Sequence, residues 1–421
     1  MNYDLIVIGS GPGGYVAAIR ASQLGMNVAV VEKAELGGVC LNWGCIPTKS
    51  LLKSAQVFDY IQHAADYGIT IGSEAKPDFP AVVARSREVA AGMSKGVQFL
   101  FKKNNITHIK GFGKVIGPGK LEVTDDGGTR ATLTAGNIII ATGARSKELP
   151  GLKQDGSKII GYREAMTLPK QPESMLIVGS GAIGSEFAHF YQTMGTSVTL
   201  VEFMPRIVPN EDEEVSKQLE RSFKKAKMKI YLGSSVESAV VKGSKVEATI
   251  KTAKGTETQL FDIVLSAVGV TPNIEGIGLE EAGVKTEKGK VVVDEFYRSN
   301  IPGIYAIGDI VHGPALAHVA SAEGIICVEK IAGLDVQPLD YGNIPGCTYT
   351  SPEIASVGLT EQAAKDAGHE IKVGKFPFTA SGKASSAGAR DGFVKLIFDA
   401  KYGELLGAHM IGANVTEMIA E

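Results

Sequence analysis

Hydrophobic residues at the start of the chain follow the pattern of a β-strand, a helix and a second β-strand. The segment YDLIVIGSGPGGYVAAIRASQLGMNVAVVE has an apolar run, a glycine turn, a helix rich in small residues and a second apolar run that ends in an acid. The same order returns in SMLIVGSGAIGSEFAHFYQTMGTSVTLVE, with equally spaced glycines. This duplication predicts two βαβ units on two domains, each with one phosphate-binding turn.

The remaining segments indicate the order of the domains along the chain. Residues 50–110 have a mainly helical pattern, and Lys120–Ala141 is rich in β-forming residues. From Tyr341 onwards short strands predict a third domain, in which Asn414 to Glu417 has the spacing of a capping box. We therefore expect an α/β protein with two Rossmann-like dinucleotide-binding domains and an incomplete α+β interface domain at the C-terminus. The expected domain ranges are 1–145 with 271–340, 146–270, and 341–421.

Composition and charge exclude several classes of protein. The chain has 421 residues, of which 44% are hydrophobic and 21% charged, so it is a globular protein too long for one core. A formal net charge of -3, with both signs interspersed, gives no electrostatic signature for nucleic acid or a membrane surface. The longest apolar runs are far shorter than the roughly 20 residues of a membrane span. No leader pattern precedes the first strand, so we expect a reducing compartment, the cytoplasm or an organelle matrix.

The four cysteines are too few for a disulfide-stapled scaffold in a chain of this size. Cys40 and Cys45 lie close together in GGVCLNWGCIPTK, just before a predicted helix that Pro47 can start and that runs through Lys49 to Phe58. The helix dipole and free amide groups favour a thiolate there, so the pair is predicted to be redox-active, with an inert buried pair as the alternative. Cys327 and Cys347 have no partner at motif spacing and are predicted to be small buried hydrophobic residues.

Two glycine turns and two acids are expected to bind dinucleotides. The glycines permit a tight turn and close approach of a pyrophosphate to the helix N-terminus. Glu32 and Glu202 end the second strand of each unit and are predicted to accept from a ribose; the alternative is a solvated carboxylate. Arg206 is expected to be solvated, although it could meet a phosphate. The turn glycines are Gly9, Gly11 and Gly14 in the first unit and Gly179, Gly181 and Gly184 in the second.

Several motifs together resemble the glutathione reductase superfamily of flavoprotein disulfide reductases. The pattern GGxCxNxGCxPxK carries the resemblance, and ATGARSKELPG, SAVGVTPN, GIYAIGDIVHGPALAHVASAEG and YTSPEIASVGLTE follow in the order of that superfamily. Within it, CLNWGCIPTKSLL is similar to dihydrolipoamide dehydrogenases. The resemblance implies that the first unit binds FAD and the second NAD. It also implies an enzyme that oxidises dihydrolipoyl groups to lipoyl disulfide and reduces NAD to NADH.

The resemblance further implies individual roles in a catalytic site. Cys40 would exchange with a dihydrolipoyl thiolate, and Cys45 would pass electrons to FAD. Lys49 would lie beside the flavin ring in an ion pair with Glu186, whose alternative role is to complement a helix dipole. Asp309 would contact the ribityl chain. Other cofactor contacts implied in this way are Glu32 at the FAD ribose, and Gly38, Gly113, Thr142, Gly143, Val236, Gly269 and Ala317.

The base that would deprotonate the substrate thiol is expected to lie outside the sequence. In the superfamily this base is a histidine of the third domain, oriented by a glutamate and contributed across a dimer interface. The His-x-His-Pro segment would lie beyond Glu421, and His409 has a strand position that does not suit a base. We therefore expect FAD binding and electron transfer from NADH to artificial acceptors, with slow oxidation of dihydrolipoamide and weak dimerisation.

The expected partners follow from the same resemblance. They are a lipoyl domain of a 2-oxo acid dehydrogenase or glycine cleavage complex and, in the intact protein, a second copy of the chain. We expect no metal, nucleic acid or membrane. A glutathione reductase is disfavoured by Glu202, and a mercuric reductase would want a further cysteine pair near the C-terminus. A flavin-binding scaffold without catalysis is disfavoured because Lys49, Glu186 and both motif cysteines are present.

The acid at the end of the second unit predicts which pyridine nucleotide the protein uses. The Glu202 carboxylate can accept a hydrogen bond from a free ribose 2′-hydroxyl, and it repels the 2′-phosphate of NADP. We expect kcat/KM to be higher with NADH than with NADPH when both are measured with the same electron acceptor. A higher value with NADPH contradicts the assignment.

Overall fold

The computed structural model describes residues 2–421, which divide into two compact units. The first unit runs to Pro47 and adds Ser86–Arg145 and Val270–Tyr341. The second contains Thr48–Arg85, Ser146–Gly269 and Gly342–Glu421. Within residues 2–421, no helix combines the length and the apolar character needed to cross a membrane.

The described residues form eleven α-helices and four short 3-10 helices. The α-helices are α1 (Pro12–Gln23), α2 (Gly38–Trp43), α3 (Cys45–Gln62), α4 (Phe79–Lys103), α5 (Tyr162–Ala165), α6 (Ala182–Thr193), α7 (Glu213–Lys225), α8 (Ala317–Ile331), α9 (Glu361–Asp366), α10 (Gly382–Ser386) and α11 (Val415–Met418). The 3-10 helices are Ala64–Tyr67, Gly308–Ile310, Tyr341–Asn343 and Phe378–Ala380.

Twenty-four strands complete the secondary structure of residues 2–421. They are β1 (Asn2–Ile8), β2 (Val28–Glu32), β3 (Thr107–Lys110), β4 (Phe112–Gly117), β5 (Lys120–Thr124), β6 (Arg130–Ile140), β7 (Ala144–Ser146), β8 (Ile159–Ile160), β9 (Ser174–Val178), β10 (Ser197–Val201), β11 (Lys229–Tyr231), β12 (Ser235–Lys242), β13 (Lys245–Thr252), β14 (Gly255–Phe261), β15 (Ile263–Ser266), β16 (Val270–Pro272), β17 (Thr286–Glu287), β18 (Lys290–Val291), β19 (Ile304–Ala306), β20 (Gly346–Thr348), β21 (Glu353–Gly358), β22 (Ile371–Pro377), β23 (Phe393–Asp399) and β24 (Leu405–Gly412).

A seven-stranded sheet with the order β3-β2-β1-β6-β5-β4 forms the centre of the first unit, and β19 pairs with β6. Strands β1, β2, β3, β6 and β19 are parallel, whereas β4 and β5 add an antiparallel edge. Helix α1 buries small residues such as Ala17 and Ala21. In α8, the backbone of Gly324 closely approaches the carbonyl of Gly13, which only a residue without a side chain permits.

The second unit repeats this design on a smaller scale. Its five-stranded sheet has the order β11-β10-β9-β15-β8 with all strands parallel, and a three-stranded antiparallel sheet, β12-β13-β14, packs its apolar face against it. Helix α6 follows β9 and buries large rings, among them Phe187 and Tyr191. The parallel strands with connecting helices in both units are the Rossmann-like arrangement predicted from the duplicated pattern.

The C-terminal part of the second unit is a five-stranded antiparallel sheet with the order β20-β21-β24-β23-β22, as expected of an α+β domain. The fold class predicted from the sequence is therefore confirmed. The predicted capping box is wrong: Asn414 adopts a left-handed conformation with φ 61°, and its side chain caps no amide of α11. A capping side chain requires an extended backbone at that position.

One buried lysine joins two parts of the second unit. Lys395 lies in β23 with 1% of its side chain exposed, and its Nζ atom contacts three carboxylates. The distances are 2.9 Å to Asp212, 2.9 Å to Glu214 and 2.7 Å to Glu361. Asp212 and Glu214 belong to the start of α7, and Glu361 begins α9. A buried charge is tolerated only when it is paired in this way.

Removal of this lysine is expected to destabilise the protein strongly. Lys395→Ala leaves three carboxylates facing one another without a cation, which costs about 3–5 kcal/mol in free energy of unfolding. Lys375→Ala is the matched control, because this half-exposed lysine pairs with Glu214 at 2.6 Å at the surface and is worth at most about 1 kcal/mol. Urea unfolding of both variants measures the difference, and equal losses contradict the analysis.

Because of the same cluster, we expect the free energy of unfolding to fall in acid. Hydrogen bonds from Lys365 and Lys395 lower the pKa of Glu361 from 4.5 to about 2. Since the folded-state pKa is the lower one, Glu361 stabilises the fold above pH 4.5, and this contribution is lost as the pH falls towards 2.

Candidate active site

The redox-active pair lies at the junction of two helices in the first unit. Helix α2 carries Cys40, Gly44 follows it, and Cys45 is the first residue of α3. The two cysteines form a disulfide, with their Cα atoms 4.7 Å apart. The helix therefore begins at Cys45 itself, slightly earlier than the sequence predicts, which leaves the thiol of Cys45 in the first turn. A helix N-terminus favours a thiolate at such a position.

Asn42, the asparagine of the cysteine motif, and Arg87, which belongs to no motif, hold α2 in place. The side-chain amide of Asn42 donates to the carbonyls of Leu36, at 2.9 Å, and Gly38, at 3.1 Å. The guanidinium of Arg87 donates to the carbonyl of Asn42 and lies 4.4 Å from the centre of the Trp43 ring. Sequence analysis did not identify Arg87, because its helix is far from the cysteine motif along the chain. These contacts restrain the turn that separates the two cysteines.

The first glycine turn forms a cradle at the carboxyl end of β1. A Cβ on Gly14 would overlap the carbonyl of Gly9, so the helix and the turn approach each other more closely than a side chain allows. Gly11 has no side chain to cap α1, and a Cβ there would meet no described protein atom within 4 Å. Gly38 closely contacts the Gly11 backbone, which places the start of α2 beside the turn. The open space and the uncapped helix end suit a pyrophosphate.

Glu32 closes the first cradle from the adjacent strand. One carboxylate oxygen accepts from the amide and the hydroxyl of Ser10, both at 2.8 Å, and the other accepts from the amide of Ala34 at 2.9 Å. These bonds keep a buried carboxylate satisfied without a cation. The structure thus brings Glu32 to the turn, and a ribose hydroxyl can add one further donor to its oxygens.

The second glycine turn reproduces these contacts in the second unit. Glu202 accepts from the Ser180 amide at 2.8 Å, from the Ser180 hydroxyl at 2.7 Å and from the Met204 amide at 2.8 Å. A Cβ on Gly184 would overlap the carbonyl of Gly179, whereas one on Gly181 would meet no described protein atom within 4 Å. Sequence analysis missed the serine in each turn, although the repeated GSG triplet was a signal for it.

Other predicted cofactor residues of the first unit lie near the ends of its strands. Thr142 donates from its hydroxyl to the carbonyl of Asn273 at 2.6 Å, and the carbonyl of Gly143 accepts from the Asn273 amide at 2.8 Å. Gly113 lies in β4 against Ile8 and Val31. Ala317 is the first residue of α8. In the second unit Val236 lies in β12, and the carbonyl of Gly269 accepts from the Lys147 amide at 3.0 Å.

Asp309 lies in the 3-10 helix Gly308–Ile310, whose first amide donates to a buried carboxylate that the sequence did not indicate. Burial raises the pKa of Asp309. Glu323 of α8 accepts from the Gly308 amide and from the Tyr341 hydroxyl, both at 2.6 Å, and burial raises its pKa to about 7. Glu323 therefore fixes the backbone of the turn that presents Asp309.

Lys49 and Glu186 meet in the second unit. The Nζ atom of Lys49 lies 2.9 Å from Oε1 and 3.0 Å from Oε2 of Glu186, so the expected ion pair is present. Glu186 lies in the first two turns of α6 with 7% of its side chain exposed. Each charge therefore has a partner at hydrogen-bond distance, and the lysine is held in place.

Four other residues can be compared with their predictions. Cys327 is buried as predicted, but the prediction is wrong for Cys347, which is half-buried because it lies in the edge strand β20. Arg206 is not simply solvated, since its guanidinium donates to the carbonyl of Pro209 at 2.9 Å. His409 lies in β24 as predicted, 1% exposed, and burial lowers its pKa. Among residues 2–421, no group of three or more metal-binding side chains is found.

The open space at Gly181 allows binding to be separated from folding. We expect Gly181→Ala to fold normally, because its φ of −62° suits alanine and no protein atom is displaced. Its Cβ fills the cradle, so the Kd for NADH rises about tenfold, equal to about 1.4 kcal/mol. Gly92→Ala, in the exposed part of α4 and also without neighbours within 4 Å, is the control. Fluorescence titration measures the Kd. An unchanged Kd in Gly181→Ala contradicts the assignment of this turn as the NADH site.

Comparison with known proteins agrees with this geometry. Residues 3–324 match the family described as pyridine nucleotide-disulphide oxidoreductase, and residues 344–421 match its dimerisation domain. Dihydrolipoyl dehydrogenases of Rhizobium etli and Zymomonas mobilis are each 50% identical over 99% of this chain and 90% of their own length.

Two solved structures have the same fold. LpdA of Mycobacterium tuberculosis has a TM-score of 0.92 at 28% identity, covering 99% of this chain and 91% of its own. The flavoprotein disulfide reductase RclA of Escherichia coli has a TM-score of 0.88 at 26% identity, covering 99% and 92%. The two dinucleotide cradles, the cysteine pair and these similarities show that the chain belongs to the pyridine nucleotide-disulphide oxidoreductase family.

Proposed function

We propose that the chain is a dihydrolipoyl dehydrogenase, which oxidises dihydrolipoyl groups to lipoyl disulfide and reduces NAD to NADH. The disulfide between Cys40 and Cys45 at the start of α3 carries this proposal, since it is the group that can exchange with a dithiol. Relatives that are 50% identical over 99% of the chain have the same name. The cofactors are FAD and NAD, as in other flavoprotein disulfide reductases of the family.

The chemistry of the cysteine pair is thiol–disulfide exchange. One dihydrolipoyl thiolate attacks Sγ of Cys40, the bond to Cys45 breaks, and Cys45 leaves as a thiolate. The second substrate thiol, once deprotonated, attacks the substrate sulfur of the mixed disulfide, which releases lipoyl disulfide and the Cys40 thiolate. The N-terminus of α3 stabilises the Cys45 thiolate, so Cys45 is the better leaving group of the pair. FAD, when bound, carries the electron pair from the dithiol to NAD.

Other residues of the chain hold the cofactors in this proposal. The Gly9–Gly14 turn with Glu32 binds the FAD pyrophosphate and ribose, and Asp309 binds the ribityl chain. The Gly179–Gly184 turn with Glu202 binds NAD. Both assignments are supported by an uncapped helix end, open space beside the middle glycine and a buried carboxylate at hydrogen-bond distance from the turn. Lys49 supplies a positive charge beside the flavin ring, which favours its reduced, negatively charged form.

The proposal extends to domains, partners and compartment. We assign residues 1–145 and 271–340 to FAD, 146–270 to NAD and 341–421 to the dimer interface, because the two cradles and the dimerisation-domain match lie in those ranges. The substrate dithiol would come from a lipoyl domain of a 2-oxo acid dehydrogenase or glycine cleavage complex. A reducing compartment such as the cytoplasm suits a chain in which Cys327 and Cys347 stay free.

Equilibrium oxidation of dihydrolipoamide tests the function. The FAD-loaded protein is incubated anaerobically with dihydrolipoamide and NAD until NADH absorbance stops rising, so the result does not depend on the rate. We expect NADH to accumulate many turnovers beyond the enzyme concentration with the parent, and none with Cys40→Ser or Cys45→Ser. Cys347→Ser is the matched control, because this thiol has no disulfide partner and is expected to leave the yield unchanged.

An anaerobic NADH titration separates the enzyme from its alternatives. A long-wavelength thiolate-to-flavin band at two-electron reduction, lost in Cys45→Ser, supports the proposal. Absence of the band in the parent favours a flavin-binding scaffold. If the protein reduces glutathione disulfide with NADPH and does not oxidise dihydrolipoamide, it is a glutathione reductase instead.

A further inference from the structure

The Lys49 ammonium has a third contact besides the two oxygens of Glu186. The ring of Tyr349 lies beneath it, with 4.2 Å between Nζ and the ring centroid. A cation at this distance over a neutral aromatic face is attracted by the ring quadrupole. Burial raises the pKa of Tyr349 to about 12, so the ring remains a neutral phenol over the working range of an enzyme. Lys49 is thus enclosed by a carboxylate and by a ring.

Tyr349 also contacts the other member of the ion pair. Its backbone amide donates to Oε1 of Glu186 at 2.9 Å, the same oxygen that accepts from Lys49 at 2.9 Å. Glu186 has only 7% of its side chain exposed, and a carboxylate that loses water in this way requires such donors. One residue therefore holds the lysine by its ring and the glutamate by its backbone.

This double contact depends on the chain that follows β20. Tyr349 is the residue directly after β20, which ends at Thr348. The ammonium of Lys49 lies over the Tyr349 ring. An aromatic side chain at position 349 therefore limits where the ammonium can move, although 33% of the lysine side chain is exposed.

We propose that Tyr349 is a positioning residue, which holds the Lys49 ammonium and the Glu186 carboxylate in the arrangement in which the lysine acts on the flavin ring. This inference rests on the proposed function, which places Lys49 beside that ring. The aromatic face and the backbone amide carry the role, and the phenol hydroxyl does not. Phenylalanine at position 349 therefore preserves the arrangement, and leucine releases the ammonium.

A double-mutant cycle tests the inference on the FAD-loaded full chain. Reduction of the flavin by excess NADH is followed by stopped flow for the parent, Y349L, Y349F, K49M and the double variant K49M/Y349L. We expect Y349L to slow reduction about tenfold, a barrier change within the range of cation–π contacts between exposed and desolvated sites. Y349F stays within about twofold of the parent, and Y349L adds nothing to K49M, because Tyr349 acts only through the lysine.

A second readout uses the protein without FAD. The ε-methylene carbon of Lys49 is bonded to Nζ, which lies 4.2 Å from the ring centroid, so we expect the ring current to shift its proton resonance upfield. The resonance is assigned by its loss in K49M, and we expect it to move downfield in Y349L and to remain in Y349F. The control for both readouts is Y402L, which removes a contact of 4.7 Å between Lys401 and the ring of Tyr402, itself 76% exposed. Y402L is expected to change neither the rate nor the resonance.

Four outcomes would overturn the inference. They are a parent-like rate in Y349L, an equal slowing by Y349L with or without Lys49, a parent-like rate in K49M, and a Y349F rate as low as that of Y349L. The second outcome identifies a purely structural role, and the fourth assigns the effect to the hydroxyl. Failure of the proposed function is recognised separately, from dihydrolipoamide oxidation by the parent, because NADH reduces the flavin without any dithiol.

Discussion

Close approach between backbone atoms at the two glycine turns is the constraint on which the structure depends. In each unit the last glycine of the turn lies against the carbonyl of the first, so a helix begins directly after a buried strand. Any side chain at Gly14 or Gly184 would separate helix from strand. The helix N-terminus, the open cradle beside it and the acid on the adjacent strand all take their positions from this contact.

Buried charged side chains are compensated in different ways in different parts of the molecule. Glu32 and Glu202 are satisfied by backbone amides and a serine hydroxyl, which leaves them able to accept from a ligand. Lys395 instead pairs with three carboxylates at once, an arrangement that joins β23 to the starts of α7 and α9. Glu323 lies between these cases, since burial brings its pKa to about 7 while two donors hold it.

Sequence reasoning succeeded where the chemistry is local in the chain. The glycine turns, their acids and the cysteine pair lie within short segments whose spacing reflects helix and strand geometry. Arg87 and Tyr349 were not identified, because each contacts a residue far away along the chain and belongs to no periodic pattern. Glu323 lies only 15 residues from Gly308, but no sequence pattern indicates that its side chain accepts from that amide. Cys347 was misjudged for a related reason: exposure at a sheet edge follows from strand order, which short strands do not specify.

The serine–glutamate contact of each turn links residues only 22 positions apart. Among residues 2–421, the hydrogen bonds to each carboxylate come from its own βαβ unit or from the residues just after it. A duplicated unit already contains the anion cradle and the hydrogen bonds that compensate its buried carboxylate. A duplication of the unit therefore copies the glycine turn, the serine and the acid together.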